Sequence, residues 1–168
     1  MAQVARIRTL SVAVCGAKQC GEALQLRAEE VGRRIAERGA VLLCGGLGGV
    51  MEAAARGAHG AGGLTVGILP GADVATASPF IRLPIATGIG FARNAILAYS
   101  CDAMIAIGGR YGTLSEIAFA LDRGKPVALL DTWELAHPEH RLPHGHVVES
   151  PAEAIEWVVS RLDLADLT

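Results

Sequence analysis

Aromatic and charged residues are scarce in this chain, and both shortages narrow what the protein can be. Phenylalanine, tryptophan and tyrosine make up 4% of the 168 residues, so a hydrophobic core has to be built from alanine, valine, isoleucine and leucine. Charged residues make up 19% and the net charge is −2. Without a basic stripe interleaved with aromatic residues, nucleic acid is not expected as a partner. Hydrophobic residues make up 51%, which is typical of a compact chain rather than a disordered one.

Long hydrophobic segments and paired cysteines are also missing. No apolar stretch reaches the roughly 20 residues of a membrane-spanning helix, and the first residues run into a predicted strand without a cleavage signal. The cysteines are not spaced as CxxC pairs, so neither a zinc ribbon nor a disulfide framework is indicated. They are Cys15, Cys20, Cys44 and Cys101. We therefore predict a cytoplasmic chain with reduced thiols, no membrane partner, and a single domain over residues 1–168.

Glycine, by contrast, is abundant, with 21 among 168 residues against a usual share of about 7%. The glycines cluster where apolar runs end, which indicates loops whose backbone must stay open. Three such loops follow predicted strands: one begins at Gly16, one is GGLGG at residues 45–49, and one is GGRYG at residues 108–112. Cys15 and Cys44 precede the first two loops, and both fit either a buried core position or the lining of a cleft.

Apolar runs and helical periodicity alternate along the chain. The runs predict strands at residues 10–14, 41–44, 65–69, 81–85, 103–107 and 126–130. Pro84 places the fourth of these at an edge of the sheet. The alternation predicts an α/β fold with an open, mostly parallel sheet and helices on both faces. Ligands of such sheets bind at the carboxyl ends of the strands, so the three glycine loops are expected along one functional edge.

The most informative stretch is residues 100–124, where a buried strand passes through the third glycine loop into a helix. Backbone N–H groups at a helix start lack intrahelical acceptors and lie at the positive end of the helix dipole, so this place suits a phosphate. A second interpretation stays open. Thr113 and Glu116 also match a capping box, with threonine at the N-cap and glutamate three residues later, which would explain both residues structurally.

The other two glycine loops exclude two common nucleotide sites. A Walker A loop needs Lys-Ser/Thr after its last glycine, whereas Gly21 is followed by Glu22. The dinucleotide fingerprint G-x-G-x-x-G is broken at residues 16–18, and the second strand ends in glycine rather than in the acidic residue that holds a ribose. The GGLGG loop fits either close approach of the backbone to a ligand or tight contact between helix and strand.

Two further features allow a functional and a structural interpretation. Arg93 falls in the first turn of a helix predicted at residues 91–100, the unfavourable end for a cation, so it either faces a bound anion or is simply exposed. The loop at residues 131–145 and its flank carry His137, His140, His144 and His146. Two prolines and no regular spacing favour a solvated loop over a metal site there, and no metal is predicted. A capping box with proline at the first helical position, SPAE at residues 150–153, is expected to begin the last helix.

Four motifs together resemble the molybdenum cofactor carrier protein family: GGLGGVMEAAARG at 45–57, VGILPG at 66–71, GFARN at 90–94 and GGRYGTLSE at 108–116. More distantly they resemble the lonely-guy phosphoribohydrolases, long mislabelled as lysine decarboxylases. The match covers most of residues 10–130, and the last motif is the specific one. The resemblance implies a Rossmann-like fold, usually a homodimer or larger, that holds a phosphorylated ligand on the glycine loop.

The phosphoribohydrolases cleave the N-glycosidic bond of nucleoside 5′-monophosphates, using an arginine followed by lysine and a glutamate in P-G-G-x-G-T-x-x-E. By this resemblance their arginine falls on Arg93 and their glutamate on Glu116. Three positions depart from the enzyme pattern: Gly108 replaces the proline, Arg110 replaces a glycine, and Asn94 replaces the lysine. These departures follow the carrier type and count against glycosidase activity.

The sequence therefore predicts a binding protein for a phosphorylated heterocycle, with no required cofactor and with molybdenum cofactor as its bound cargo. The alternative is a nucleoside-monophosphate N-glycosidase, in which Glu116 stabilises the ribosyl cation or positions water and Arg93 orients the substrate. A homodimer or homotetramer is expected, packed through the alanine-rich helix at 50–59. The predicted ligand-binding residues are Gly16, Lys18, Gly45, Gly46, Gly48, Gly49, Arg93, Asn94, Gly108, Gly109, Arg110, Tyr111, Gly112, Thr113 and Glu116.

Overall fold

The computed structural model describes residues 9–138 and 144–162, which form one sheet of seven strands and five α-helices. The strands are β1 Ser11–Gly16, β2 Val41–Cys44, β3 Thr65–Leu69, β4 Leu83–Ala86, β5 Ala103–Ile107, β6 Val127–Leu130 and β7 His146–Val148. The helices are α1 Glu22–Glu37, α2 Val50–Gly60, α3 Arg93–Ser100, α4 Tyr111–Asp122 and α5 Pro151–Arg161. All six predicted strands form, so the α/β prediction is confirmed.

Every neighbouring pair of strands is parallel, and the order across the sheet is β4-β3-β2-β1-β5-β6-β7. The chain winds outward from the central β1 to β4, then returns through α3 to place β5 on the other side of β1. This reversal makes the carboxyl ends of β1 and β5 the topological switch point, where ligands of open α/β sheets bind. Pro84 lies in the edge strand β4, as predicted, where its missing N–H interrupts no central ladder.

Alternate residues of the central strands are buried on opposite faces of the sheet. Val12 and Val14 of β1 pack with α1, α2 and α5, while Ala13 and Cys15 pack with α3 and α4. Strands covered by helices on both sides have no polar face, which is why they appear in the sequence as unbroken apolar runs. Aliphatic side chains supply nearly all of this core, as the shortage of aromatic residues requires.

The alanine-rich surface of α2 is used inside the chain, which corrects the prediction that it packs against another subunit. Gly57 of α2 faces the Glu29 carbonyl of α1, and a Cβ built on it would lie 1.9 Å from that oxygen. Gly32 of α1 faces the Ala54 carbonyl at the same hypothetical distance. Small residues therefore let the two helix backbones approach closely. The buried alanines of α2 are Ala53, Ala54, Ala55 and Ala58.

The carboxyl-terminal region contains one confirmed and one missed element. The Ser150 Oγ accepts a hydrogen bond from the Glu153 N–H at 3.2 Å, and Pro151 is the first residue of α5, so the predicted cap forms. Strand β7 was not predicted because it has only three residues and is half exposed. It contains His146, whereas His140 lies outside the described residues. Across residues 9–138 and 144–162, no group of three or more His, Cys, Asp or Glu side chains is placed to hold a metal ion. In the same residues, no helix is long and apolar enough to cross a bilayer.

Candidate functional site

A cleft of about 660 Å³ lies at the switch point, between the end of β1 and the starts of α3 and α4. Nine of the predicted ligand-binding residues line it: Gly16, Lys18, Arg93, Asn94, Arg110, Tyr111, Gly112, Thr113 and Glu116. They come from three separate parts of the sequence, and the sheet order brings them together. The remaining predicted residues do not line the cleft, and all of them are glycines: Gly45, Gly46, Gly48, Gly49, Gly108 and Gly109.

The start of α4 presents free backbone donors to the cleft. Gly108 and Gly109 have φ angles of 55° and 98°, in the region that favours glycine, and they turn the chain from β5 toward the helix. The first intrahelical hydrogen bond of α4 is donated by the Leu114 N–H to the Arg110 carbonyl at 3.0 Å. The N–H groups of residues 111–113 therefore have no acceptor within the helix, and they lie at the positive end of its dipole.

The structure decides against the alternative interpretation of Thr113 and Glu116 as a capping box. The N-cap of α4 is Arg110, and no described side chain caps this helix start. Thr113 is the third residue of the helix, so Glu116 lies about one and a half turns inside it and cannot return to the first N–H groups. Instead, the Glu116 side chain is buried at the floor of the cleft and faces Arg93.

Arg93 is the first residue of α3, and its guanidinium is buried rather than exposed. Its Nη1 lies 3.7 Å from the Glu116 Oε1, which is an ion pair too long for a hydrogen bond. Among the described residues, neither Nε nor Nη1 of Arg93 has a hydrogen-bond acceptor. Buried donors without acceptors are costly and rare, so this guanidinium is placed to bind an acceptor that the described residues do not supply.

Burial dominates the titration of the acidic groups beside Arg93. It raises the pKa of Glu116 to about 7, although Arg93 and the Cys15 thiol both lower it. The sequence allowed Cys15 to be either a core residue or part of a cleft. In the structure it is a buried core residue of β1 that also contacts Glu116 at the cleft floor. Burial first, and the Glu116 carboxyl second, raise the pKa of the Cys15 thiol well above its ordinary value. The thiol is therefore neutral at pH 7, while Glu116 exchanges its proton near that pH.

Asn94 connects the two helices that form the cleft. Its Nδ2 donates to the Ser115 Oγ at 3.0 Å and to the Gly112 carbonyl at 3.3 Å. The Ser115 Oγ also donates to the Gly112 carbonyl at 2.6 Å. Since α3 carries Arg93 and α4 carries Glu116, these bonds fix the relative position of the two charged groups.

The glycines of the GGLGG loop allow close packing against the segments that form the cleft. A Cβ on Gly46 would lie 2.6 Å from the Leu69 Cδ2, and one on Gly49 would lie 2.2 Å from the Ala17 carbonyl oxygen. The Val50 N–H donates to that same carbonyl at 2.9 Å. Gly45 leaves room for the buried guanidinium, because a Cβ there would lie 2.2 Å from the Arg93 Nη1. Gly48 has looser surroundings, with the Lys18 carbonyl oxygen 3.5 Å from its hypothetical Cβ.

The sequence-based prediction missed most of the apolar lining. The missed residues are Ala17, Gln19, Leu47, Met51, Pro70, Gly90 and Phe91. Phe91 and Gly90 belong to the GFARN motif, which could have pointed to them. Leu47 and Met51 lie in the motif at 45–57 and Pro70 in the motif at 66–71, but these residue types fit an ordinary core or turn equally well, so their place in the lining was not predicted.

Comparisons with known proteins agree with this architecture. The family model of the SLOG cluster4 family matches residues 9–155. An uncharacterized protein from Archaeoglobus fulgidus is 45% identical over 154 residues, which covers 92% of this chain and 97% of that protein. A probable cytokinin riboside 5′-monophosphate phosphoribohydrolase from Oryza sativa subsp. japonica is 34% identical over 64% of this chain. The matched part spans 47% of the rice protein, so this chain corresponds to about half of that relative.

Two solved structures with the same fold have more specific names. The molybdenum cofactor binding protein from the phototrophic bacterium Rippkaea orientalis is 39% identical, with a TM-score of 0.84 over 93% of this chain and 99% of that one. The molybdenum cofactor carrier protein from Chlamydomonas reinhardtii is also 39% identical, with a TM-score of 0.80 over 91% and 98%. These likenesses confirm the resemblance that the four sequence motifs indicated. The chain therefore belongs to the SLOG cluster4 family, with molybdenum cofactor carrier proteins among its structural neighbours.

Proposed function

We propose that this chain is a cytoplasmic, single-domain carrier of a phosphorylated heterocycle, and that its cargo is molybdenum cofactor. The observation that carries the proposal is the buried Arg93, whose Nε and Nη1 lack acceptors among the described residues and whose side chain lines the cleft. A phosphate is an acceptor of the right charge, since guanidinium groups bind its oxygens through charge-assisted hydrogen bonds. The likeness to two proteins named for molybdenum cofactor supports this choice of cargo.

The start of α4 offers a second set of donors to the same anion. The N–H groups of residues 111–113 have no intrahelical acceptor, and the helix dipole adds partial positive charge there. Bound phosphate would satisfy both the guanidinium and these amides, and thus offset the cost of burying Arg93. No step in this function requires a further cofactor. We keep the prediction that nucleic acid is not a partner, which rests on the net charge of −2.

Nucleoside-monophosphate N-glycosidase activity is a second candidate, because Glu116 lies at the floor of the cleft with a pKa of about 7. A carboxylate there could stabilise positive charge on a ribose or position water. Two departures weigh against it. Asn94 stands at the lysine position of the enzyme motif and is engaged in holding α3 to α4, and Arg110 replaces a motif glycine. The carrier function fits these residues better.

One pair of measurements separates the two functions. Small molecules that co-purify with the protein are identified by mass spectrometry, and base release from AMP, CMP and GMP is assayed with wild type and Glu116→Gln. We expect a phosphorylated pterin in the first measurement and no base release in the second. Base release by wild type that Glu116→Gln abolishes would overturn the carrier assignment in favour of the enzyme.

We also propose a homodimer or homotetramer, packed through the face that carries α3 and α4. Leu83 and Ile85 of β4 pair in register with Val66 and Ile68, which are buried on that face, yet both side chains are exposed among the described residues. Helices α3 and α4 also carry exposed apolar side chains: Ile96, Tyr99 and Phe119. Exposed apolar side chains on one face favour an interface there. Light scattering should give twice or four times the chain mass, and a monomer at micromolar concentration would contradict the proposal.

A further inference from the structure

We propose that Phe91 and Tyr111 form a ring-binding subsite in the cleft, where they stack on the planar heterocycle of a ligand whose anionic group is held at Arg93 and the start of α4. The inference rests on the proposed function and adds to it. It assigns the ring and the anion to different residues, and it restricts the ligands to phosphorylated compounds that contain an aromatic ring.

The exposure of these two rings is the first argument. Phe91 is 84% exposed and Tyr111 is 75% exposed, more than any other large hydrophobic residue in the described part of the chain. The whole sequence has only seven phenylalanine, tyrosine and tryptophan residues, and two of them stand uncovered at the lining of one cleft. Covering the face of an aromatic ring removes apolar surface from water, which is favourable. A planar ring that stacks on it covers the most surface. A planar ligand would provide that cover.

The Tyr111 ring is held in place by its neighbours, and the backbone of Phe91 is fixed. Tyr111 is the first residue of α4, and its ring packs on Trp133, with ring centroids 5.6 Å apart and an angle of 35° between the planes. The Trp133 Nε1 in turn donates to the Arg110 carbonyl at 3.2 Å. Phe91 lies in a short 3-10 turn, and the Gly90 N–H of this turn donates to the Pro70 carbonyl at 2.9 Å. The packed ring of Tyr111 therefore costs little entropy to order on binding.

Gly112 has no side chain, so its backbone lies beside the Phe91 ring. A Cβ built on Gly112 would lie 3.9 Å from the Phe91 Cε1, which is van der Waals contact. Phe91 therefore lies next to the start of α4, where the N–H groups of residues 111–113 have no acceptor within the helix. A ligand that places its phosphate on those amides brings any attached ring within reach of Phe91 and Tyr111.

The lining divides into a charged floor and an apolar wall. Arg93 and Glu116 are buried at the floor, whereas Leu47 and Pro70 line the cleft together with the two aromatic rings. A sugar phosphate would use the floor but would leave the wall in contact with water. A nucleotide or a phosphorylated pterin would use both.

The test compares one ligand that has a ring with one that has none. GMP and ribose 5-phosphate are titrated by ligand-observed NMR at up to millimolar concentration, with wild type, Phe91→Leu and Tyr111→Leu. We expect each variant to bind GMP about tenfold more weakly, since stacking on one aromatic side chain accounts for affinity changes of this size. Affinity for ribose 5-phosphate should stay within about twofold of wild type, because its anion contacts remain.

Three control variants separate the loss of ring stacking from other effects on affinity. Tyr111→Phe keeps the ring and should keep the GMP affinity. Leu26→Ala removes an exposed apolar side chain of α1 outside the cleft and should change neither affinity. Arg93→Leu should weaken both ligands, which separates the anion site from the ring site.

Each remaining outcome overturns the inference in a distinct way. If Phe91→Leu and Tyr111→Leu weaken both ligands equally, or neither, the ring subsite is wrong while the proposed anion site stands. If Phe91→Leu lowers the oligomeric state at unchanged GMP affinity, the ring belongs to a subunit interface instead. If wild type binds neither GMP nor ribose 5-phosphate, the proposed function fails and the ring subsite fails with it.

Discussion

Between helices of the described residues, two arginine–glutamate pairs form, and they differ in almost every physical respect. Arg56 of α2 meets Glu29 of α1 at the surface, with the Nη2 and Nε atoms 2.8 and 3.0 Å from one carboxylate oxygen and side chains 36% and 39% exposed. Arg93 of α3 meets Glu116 of α4 with 9% and 7% exposure, and their nearest atoms are 3.7 Å apart. The first pair is close, hydrogen-bonded and solvated, whereas the second is buried and loose.

The difference indicates that Arg56 and Glu29 form a structural contact, whereas Arg93 and Glu116 are arranged to bind a ligand. A solvated pair gains little because water screens it, but it also costs little to form. A buried pair loses the hydration of two charges, and it recovers that loss only with short hydrogen bonds to both partners. Among the described residues, the Nε and Nη1 atoms of Arg93 make no hydrogen bond, and the Glu116 Oε1 lies 3.7 Å from Nη1. Their arrangement is explained by a ligand that completes it, and the following experiments test that explanation.

Removing the buried arginine should have the largest effect. Arg93→Leu leaves the Glu116 carboxyl buried without its partner, so we expect a loss of about 3 kcal/mol in the free energy of unfolding, and at least a hundredfold loss of phosphate-ligand affinity. Urea unfolding and ligand titration measure the two quantities. Equal stability of Arg93→Leu and Arg56→Leu would mean that burial does not distinguish the pairs.

Changing the pH should have the next largest effect, because it changes the protonation of Glu116 in the buried pair. Because the pKa of Glu116 rises to about 7 on folding, the folded chain keeps a proton that the unfolded chain releases near pH 4.5. Stability from this group is therefore full below about pH 4.5 and is lost as the pH rises through about 7, by up to about 3 kcal/mol. Relative to Glu116→Gln, wild type should lose stability between pH 5 and 8. Glu29→Gln is the control, and an equal pH slope in wild type and Glu116→Gln would refute the assignment.

Blocking the free amides should produce a smaller, purely functional effect. Gly112→Val places a β-branched side chain beside Phe91 and over the start of α4, so it should weaken GMP binding about tenfold, or ~1.4 kcal/mol. Gly112→Ala, whose Cβ would lie in ordinary contact with the Phe91 Cε1 at 3.9 Å and the Asn94 Nδ2 at 4.0 Å, should bind much as wild type does. Melting temperatures of both variants should stay near the wild-type value. An unfolded Gly112→Val would show that the position is structural.

The surface pair should show the smallest effect of all. A double-mutant cycle with Arg56→Ala and Glu29→Ala should give a coupling free energy of about 0.2–1 kcal/mol, and salt should reduce it. Ligand affinity should be unchanged in all three variants. A coupling above about 2 kcal/mol, or any loss of binding, would erase the distinction between the two pairs.

The sequence predicted the scaffold of this site better than its chemistry. Unbroken apolar runs identify buried parallel strands, and glycines after them identify the edge where the cleft lies, because both signals are local. The role of Glu116 stayed open between ligand binding and a capping box with Thr113, because the sequence matches both, whereas the Gly108–Gly109 turn starts α4 at Tyr111. Only the turn geometry decides between these two helix starts.

Tertiary contacts account for the other errors. The burial of Arg93 depends on Gly45 and Glu116, which the fold brings from distant parts of the chain, so residue type alone left its exposure open. The alanine face of α2 suits a helix of the same chain as well as one from a second subunit, and the structure places α1 there. Strand β7 forms only because β6 offers an edge to pair with.

Binding of inorganic phosphate at the start of α4 is the most direct test of the central claim. Backbone amide NMR signals are followed while phosphate is added to wild type and to Arg93→Leu at constant pH and ionic strength. We predict saturable shifts of the Tyr111, Gly112 and Thr113 amides in wild type, and their loss in Arg93→Leu. Unchanged amide signals in wild type, or the same saturable shifts without the arginine, would contradict the claim that this cleft is an anion site built on Arg93.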